Sequence, residues 1–341
     1  MKAVKLGLIG LGFQGRIHLR SCTKLRNAKL TTVCDTSKKA LNYAKKWGIK
    51  RRFTDYHKLL EDENIDAVII ALPTFLHRTA AETAAEAGKN ILLEKPLARS
   101  VKEGKEILSA ADRNGVKLMV GYQMRFHPPF IQLKEKMDDG ILGEIQTAYA
   151  TYIQAGPFSH RSERHIPRPV PEWWFHRELT GGGSLIDMGC HIINLLRWYF
   201  GDITDIQSYL KYRFNLEVED NAICLAKFNS GPLSIINLGW FSQRLILRIE
   251  LNGTMGHTSV QRESQNFIVT AFKRLLTSSS DWTPFTKELE HFVECITHDF
   301  QPGPSGADAL KDLEAIELAY ENRHKILPSQ SYRYPERESL A

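Results

Sequence analysis

No CxxC pair occurs in this sequence, and its five cysteines (Cys22, Cys34, Cys190, Cys224, Cys295) are far apart and odd in number. Neither a zinc site nor a disulfide framework is expected; the reading is five free or buried thiols in a reducing compartment. No apolar run approaches the roughly 18–20 residues that a membrane span requires. Met1-Lys2-Ala3-Val4-Lys5-Leu6 runs straight into a strand-like segment, without the apolar core and cleavage site of a signal peptide. A soluble, cytoplasmic chain with no membrane partner is therefore expected. A long basic block is also missing: 45 Lys+Arg against 39 Asp+Glu leave +6 spread along the chain. That argues against a nucleic-acid partner and leaves a mild bias toward anionic ligands. Internal repeats are absent. What is present is globular composition, 43% hydrophobic and 25% charged over 341 residues. At about 150 residues per domain, this length predicts roughly two domains, each able to bury a core.

The amino-terminal part alternates apolar strands with helices. Strands are expected near Val4–Ile9, Lys29–Cys34, Ala67–Ala71, Asn90–Glu94 and Lys117–Gly121, with a helix from Gly15 to about Leu25 after the first. Strands this apolar belong in a parallel sheet covered on both faces, and right-handed crossovers then give a doubly wound α/β fold. Beyond about residue 143 the pattern changes to strands of a larger, mostly antiparallel open sheet, interrupted by a helix from Ser184 to Phe200. The expected organisation is an N-terminal α/β domain of Rossmann type over 1–124 and a C-terminal α+β domain over 125–341. The second sheet, with Ile206, Tyr209 and Ile235 among its apolar positions, leaves a face to cover. A homo-oligomer, dimer or tetramer, formed through that face is expected.

Gly10-Leu11-Gly12-Phe13-Gln14-Gly15 fits G-x-G-x-x-G, preceded by a strand, followed by a helix, with Asp35 ending the next strand. In that context Gly10 permits the tight turn, Gly12 lets the pyrophosphate approach the backbone, and Gly15 lets the helix pack closely. Helix N-terminal amides would hold the phosphates. Asp35 would accept from the adenosine ribose hydroxyls and repel a 2′-phosphate, which favours NAD. Lys38 and Lys39 keep NADP open, and Asp35 as a plain helix cap is the competing reading.

Glu94-Lys95-Pro96 lies at the carboxyl end of a parallel strand, where open α/β sheets place ligands. Far along the chain, Gly181-Gly182-Gly183 opens a helix on which Asp187 and His191 are four residues apart and share a face, among apolar neighbours. Buried polar groups need partners, so a satisfied structural pair is the bland alternative. No metal ligand set is read from the chain.

Taken together, Gly10–Gly15, Glu94-Lys95-Pro96, Gly121–Pro128 (Gly-Tyr-Gln-Met-Arg-Phe-His-Pro) and Gly181–His191 resemble the ordered motifs of the glucose–fructose oxidoreductase, inositol dehydrogenase and rhizopine catabolism (Gfo/Idh/MocA) family. The resemblance implies a two-domain NAD(P)-dependent oxidoreductase with its substrate site between the domains. It places catalytic roles on Lys95, Asp187 and His191. Cofactor contacts are implied at Gly10, Gly12, Phe13, Gln14, Gly15, Asp35, Leu72, Pro73, Thr74, His77, Glu94 and Lys95. Substrate contacts are implied at Tyr122 and Arg125 besides the catalytic set. Asn194 departs from the family pattern, in which many relatives carry an aspartate one turn beyond the histidine.

The implied reaction is hydride transfer between nicotinamide and a secondary ring hydroxyl of a sugar, sugar nucleotide or cyclitol. His191 is the best candidate for general base, with Lys95 stabilising the developing alkoxide; Lys95 as base stays open. The long Pro-rich stretch between Gly156 and Gly181 carries Arg164, Arg168, Trp173 and Trp174. Aromatic faces suit sugar rings and arginines suit phosphate or carboxylate, so these four are assigned to a carbohydrate-type substrate, neutral or anionic. An arm packing on a neighbouring subunit is the equal alternative. Two rival functions stand: an NAD-dependent glycosidase-type enzyme that uses transient oxidation, and a non-enzymatic nicotinamide-nucleotide sensor. Lys95, Asp187 and His191 together speak against the sensor.

Overall fold

The computed structural model describes residues 3–159, 171–212, 216–242, 244–263 and 283–326. The chain divides into two compact units, Met1–Gln132 with Asn266–Glu314, and Leu133–Gln265 with Ala315–Ala341. In the first unit β1 (Val4–Ile9), α1 (Phe13–Cys22), β2 (Ala28–Cys34), α2 (Lys38–Lys45), β3 (Arg51–Phe53) and α3 (Tyr56–Leu60) form one half. β4 (Ala67–Ile70), α4 (His77–Glu86), β5 (Asn90–Glu94), α5 (Val101–Arg113) and β6 (Leu118–Gly121) form the other. The six strands run in the order β3-β2-β1-β4-β5-β6. All their pairings are parallel. This is the doubly wound order expected of strands buried on both faces, and it reverses between β1 and β4, where such sheets bind ligands. Ser37 and Ser100 cap α2 and α5 with their side chains, accepting from the amides of Ala40 and Glu103.

Helix α6 (Pro128–Asp138) leads on to β7 (Ile145–Ile153), α7 (Arg177–Thr180), α8 (Ser184–Asp187), α9 (Gly189–Phe200), β8 (Ile203–Lys211), β9 (Asn221–Phe228), β10 (Leu233–Gly239), β11 (Ile246–Gly253) and β12 (His257–Glu263). The chain then supplies α10 (Thr283–His298), α11 (Gly306–Glu321) and β13 (Arg323–Ile326). Strands of the second sheet follow the order β12-β11-β7-β10-β9-β8-β13. Only β7–β10 and β8–β13 are parallel pairs, so the sheet is mostly antiparallel.

Leu6, Leu8, Ile69, Leu92 and Leu19 build the first unit's core together with Leu289, Phe292 and Val293 of α10. Truncating such a fully buried leucine to alanine costs about 2–5 kcal/mol. All five cysteines are free and buried. Burial pushes the thiols of Cys22 and Cys224 up to about 12, well away from thiolate chemistry. Among the described residues no helix is long and apolar enough to cross a membrane.

Three expectations change in detail. The first helix starts at Phe13 rather than Gly15, because Gly12 adopts the extended N-cap geometry and Gly15 falls inside the first turn. The expected continuous helix from Ser184 to Phe200 is two helices, α8 and α9, interrupted at Met188. Ile206 does not belong with Tyr209 and Ile235: it is 1% exposed while they are 50% and 42% exposed. An odd separation along a strand places residues on opposite faces, which sends Ile206 inward and Tyr209 outward.

Candidate active site

The first unit presents the glycine loop at the end of β1. Gly10 has φ of +94°, and a Cβ there would lie 2.3 Å from the carbonyl oxygen of Ala71. Only glycine makes this turn. Around Gly12 the opposite holds, since a Cβ would meet nothing within 4 Å. With glycine as N-cap and no acid in its first turn, α1 has no side chain capping its leading amides. Phe13 is 67% exposed beside them. An uncapped ten-residue helix start with open space in front of its backbone fits an oxyanion.

Asp35 ties this loop down. One carboxylate oxygen accepts from the amide of Leu11 at 2.7 Å and the other accepts from the amide of Ser37 at 2.7 Å. Asp35 thus fixes both turns at the sheet's switch point, and its spare lone pairs remain for a ribose. Ser37, not Asp35, is the N-cap of α2.

Glu94, 5% exposed, is a second hub. The ring Nε2 of His18 stands 2.6 Å from its Oε1, Gln14 Nε2 donates to the same oxygen at 3.5 Å, and the amide of Lys95 donates to Oε2 at 3.2 Å. The glycine loop's Gln14 and the Lys95 peptide are therefore held by one carboxyl group. His77 does similar work nearby: fully buried, its ring nitrogens lie 2.9 Å from the carbonyl oxygens of Pro96 and Leu72. Burial lowers its pKa, while the two carbonyl contacts favour the protonated ring and oppose that shift. His77 is thus a strut between the Leu72-Pro73-Thr74 turn and the Glu-Lys-Pro turn. Lys95 is half-buried at the end of β5, Tyr122 is buried, and Arg125 sits half-buried in a short 3₁₀ turn after β6.

The second unit supplies the rest. Asp187 closes α8 and His191 lies in the first turn of α9, 4% exposed. The indole Nε1 of Trp240, just beyond β10, donates to Asp187 Oδ2 at 3.3 Å. Tyr152 of β7 lies 6.3 Å from the His191 ring, centroid to centroid. Strands β7 and β10 are neighbours, with Tyr152 in register with Leu238. The two polar residues are thus served by adjacent strands. Trp174, in a 3₁₀ turn over Glu172–Phe175, lies 6.3 Å from Trp240 and next to Trp173 at 5.4 Å. Trp173, Trp174 and Trp240 form one aromatic group leading to a carboxylate. Arg164 and Arg168 lie outside the described residues.

A family model described as an oxidoreductase family with an NAD-binding Rossmann fold matches residues 4–122, and the Gfo/Idh/MocA C-terminal domain matches residues 130–259. The chain belongs to the Gfo/Idh/MocA family. It is 30% identical to the NAD-dependent scyllo-inositol 2-dehydrogenase of Bacillus subtilis, over 96% of both chains. It is 26% identical to the D-apiose dehydrogenase of Paraburkholderia graminis, over 94% of this chain and 88% of that one. Its fold matches that of the WlbA dehydrogenase of Bordetella pertussis, solved with NADH and UDP-GlcNAcA, with a TM-score of 0.80 and 24% identity over 94% and 95% of the two chains.

The protein is an NAD-binding oxidoreductase, and the glycine loop fits that cofactor: the amides at the start of α1 suit a pyrophosphate and Asp35 suits an unphosphorylated ribose. Among the described residues no group of three or more His, Cys, Asp or Glu side chains stands together as a metal site. Sequence reasoning missed Trp240, His18 and Glu288. Trp240 follows the Gly239 strand end, and its ring packs where a Cβ on Gly156 would lie 2.3 Å away. Glu288 is fully buried on α10, and among the described residues neither carboxyl oxygen has a hydrogen-bond partner. Burial, then the charge of Glu94, raises its pKa well above the ordinary value and holds it as a neutral acid. The available signal was its helical spacing, which puts Glu288 on the face of α10 that carries Pro284, Leu289, Phe292 and Cys295.

Proposed function

We propose that this chain is an NAD-dependent dehydrogenase that oxidises a secondary ring hydroxyl of a sugar, sugar nucleotide or cyclitol. The observation that carries the reading is the Trp173–Trp174–Trp240 group ending on Asp187. Apolar ring faces beside a fixed carboxylate suit a molecule that is flat and apolar on one side and hydroxylated at its rim. The scyllo-inositol and D-apiose dehydrogenases to which the chain is similar support a polyol substrate.

NAD supplies hydride acceptance when bound. The rest of the work belongs to the chain. His191, nearly buried, takes the proton from the substrate hydroxyl as general base. Lys95, at the end of β5, is the cation suited to stabilise negative charge developing on a substrate oxygen. Asp187, held by the Trp240 indole, orients the substrate. Tyr122 and Arg125 lie at the end of β6 and serve substrate binding.

Purified protein with NAD and a panel of scyllo-inositol, myo-inositol, D-apiose and UDP-sugars, followed at the reduced-nicotinamide band, tests this. Stoichiometric NADH is expected from at least one polyol, falling about 10²–10⁴-fold in His191→Ala. Glycoside cleavage without net NADH overturns it.

The second unit also carries an exposed apolar face. Tyr149, Ile235 and Leu225 stand in register across β7, β10 and β9, with Ile223, Tyr209 and Leu233 around them. Exposed patches of this kind mark interaction sites, and the proposed occupant is the same face of a second copy.

A further inference from the structure

The turn Thr180–Leu185 leads into α8, and one buried carboxyl group holds it. Glu219, 1% exposed in the segment before β9, takes hydrogen bonds from three donors. The amide of Gly183 reaches both carboxyl oxygens at 3.1 Å, the amide of Leu185 donates to Oε1 at 2.8 Å, and the hydroxyl of Tyr320 donates to Oε1 at 2.9 Å. The backbone of the same residue contributes as well, since the Ser184 amide donates to the Glu219 carbonyl at 2.9 Å.

Packing here allows no slack. A Cβ on Gly182 would lie 1.9 Å from the Tyr320 hydroxyl, and one on Gly183 would lie 2.0 Å from the Glu219 carbonyl oxygen. Two of the three glycines are thus explained by the close approach of Glu219 and Tyr320 to the backbone. Tyr320 is itself fixed, with Arg177 5.1 Å above its ring. Burial and the neighbouring Glu219 hold its hydroxyl pKa well above the ordinary value, so it remains a donor.

We propose that Glu219 is a positioning residue: by gathering the Gly183 and Leu185 amides and the Tyr320 hydroxyl onto one carboxyl group, it fixes the start of α8 and so sets where Asp187 and His191 present their polar atoms. The reach is short. The Asp187 amide donates to the carbonyl of Gly183, and the His191 amide donates to that of Met188, whose own amide donates to Ser184. Each step from the Glu219 contact to His191 is a single backbone hydrogen bond. A helix start of four residues, broken from the next helix at Met188, has no long ladder of its own to hold it. An outside anchor therefore decides its placement. The inference rests on the reading of Asp187 and His191 as working groups.

The test compares wild type with Glu219→Ala, Glu219→Gln and Tyr320→Phe in the full-length protein. Readouts are kcat with NAD and the polyol most active on wild type among scyllo-inositol, myo-inositol and D-apiose, NADH affinity by fluorescence, and hydrogen exchange of the 181–191 peptide. Glu219→Ala is expected to lower kcat by about tenfold or more, to leave NADH affinity within about twofold, and to speed exchange in 181–191. Glu219→Gln regains most of both losses, because its amide oxygen still accepts from Leu185 and Tyr320. Unchanged kcat and exchange in Glu219→Ala overturn the proposal, as does an equal loss in the Ala and Gln variants. If the Ala variant does not fold, Gln and Tyr320→Phe carry the comparison, with a smaller fall in kcat and faster 181–191 exchange expected in each. Should wild type bind NADH yet oxidise no polyol, the functional reading fails alone, and the exchange data still decide whether Glu219 fixes the turn.

Discussion

The indole N–H of Trp240 points at a carboxylate oxygen of Asp187, 3.3 Å away, although the two residues are 53 positions apart in the chain. Trp240→Phe keeps an aromatic ring against Gly156 and removes the donor. A hydrogen bond to a charged group contributes about 1.5–3 kcal/mol, and 1.4 kcal/mol is about tenfold in rate. The expected outcome is a kcat lower by about tenfold or more, with the dissociation constant of NADH unchanged. Loss of NADH binding in step with kcat would show instead that the ring acts through folding.

Asp35 binds two backbone amides besides its proposed ribose role. In Asp35→Asn, one of the Leu11 and Ser37 amides loses its acceptor and the charge that repels a 2′-phosphate disappears. NAD affinity is expected to fall by about tenfold and the preference for NAD over NADP to shrink. Titration of the variant with both dinucleotides checks this. An unchanged preference removes Asp35 from cofactor discrimination.

Glu288 gives a pH-dependent stability of definite sign. Unfolded, its carboxyl loses a proton near the ordinary value of 4.5; folded, burial and Glu94 hold the proton on to higher pH. Folding therefore retains a proton, and this residue's contribution to stability is intact below that value and declines as pH rises through the raised folded pKa. Glu288→Gln keeps the shape and cannot ionise. Melting curves are expected to show the variant gaining on wild type as buffers go from acid to mildly alkaline, by roughly 2–4 °C for each 1 kcal/mol. Parallel curves at every pH would mean that Glu288 is not held neutral.

The exposed row Tyr149–Ile235–Leu225 sits in a seven-stranded sheet whose other face is buried along β11, β7, β10, β9 and β8. A charge in that row, as in Ile235→Asp, is expected to halve or quarter the mass measured by light scattering while leaving the melting temperature of the isolated chain near its wild-type value. A wild-type monomer at working concentration rejects the assembly.

Much of the first unit was legible because its signals are local. Apolar runs such as Ala67–Ile70, the glycine spacing 10-12-15 and an acid ending the second strand each follow from short-range physics, and the parallel order then follows from connection rules. The candidate set was legible only as motifs. Trp240 serving Asp187, and Glu219 serving Gly183, depend on which strand ends lie beside which helix start, and nothing in a window of ten residues encodes that. The break at Met188 was hidden for another reason. Leu185 to Leu196 is apolar almost throughout, so its periodicity reads as one helix. Helix α10 shows an amphipathic pattern in the sequence, and the pattern does not say against which core it packs.

That last placement has a practical meaning for recombination. Leu289, Phe292 and Val293 fill space beside β1 and α1, nearly three hundred positions after the first strand begins. A fragment cut after residue 132 would leave that space open, whatever its completeness as a nucleotide-binding motif. Hybrids that borrow a relative's substrate half must exchange both 133–265 and 315–341, across three splice points, and retain this chain's own late helix.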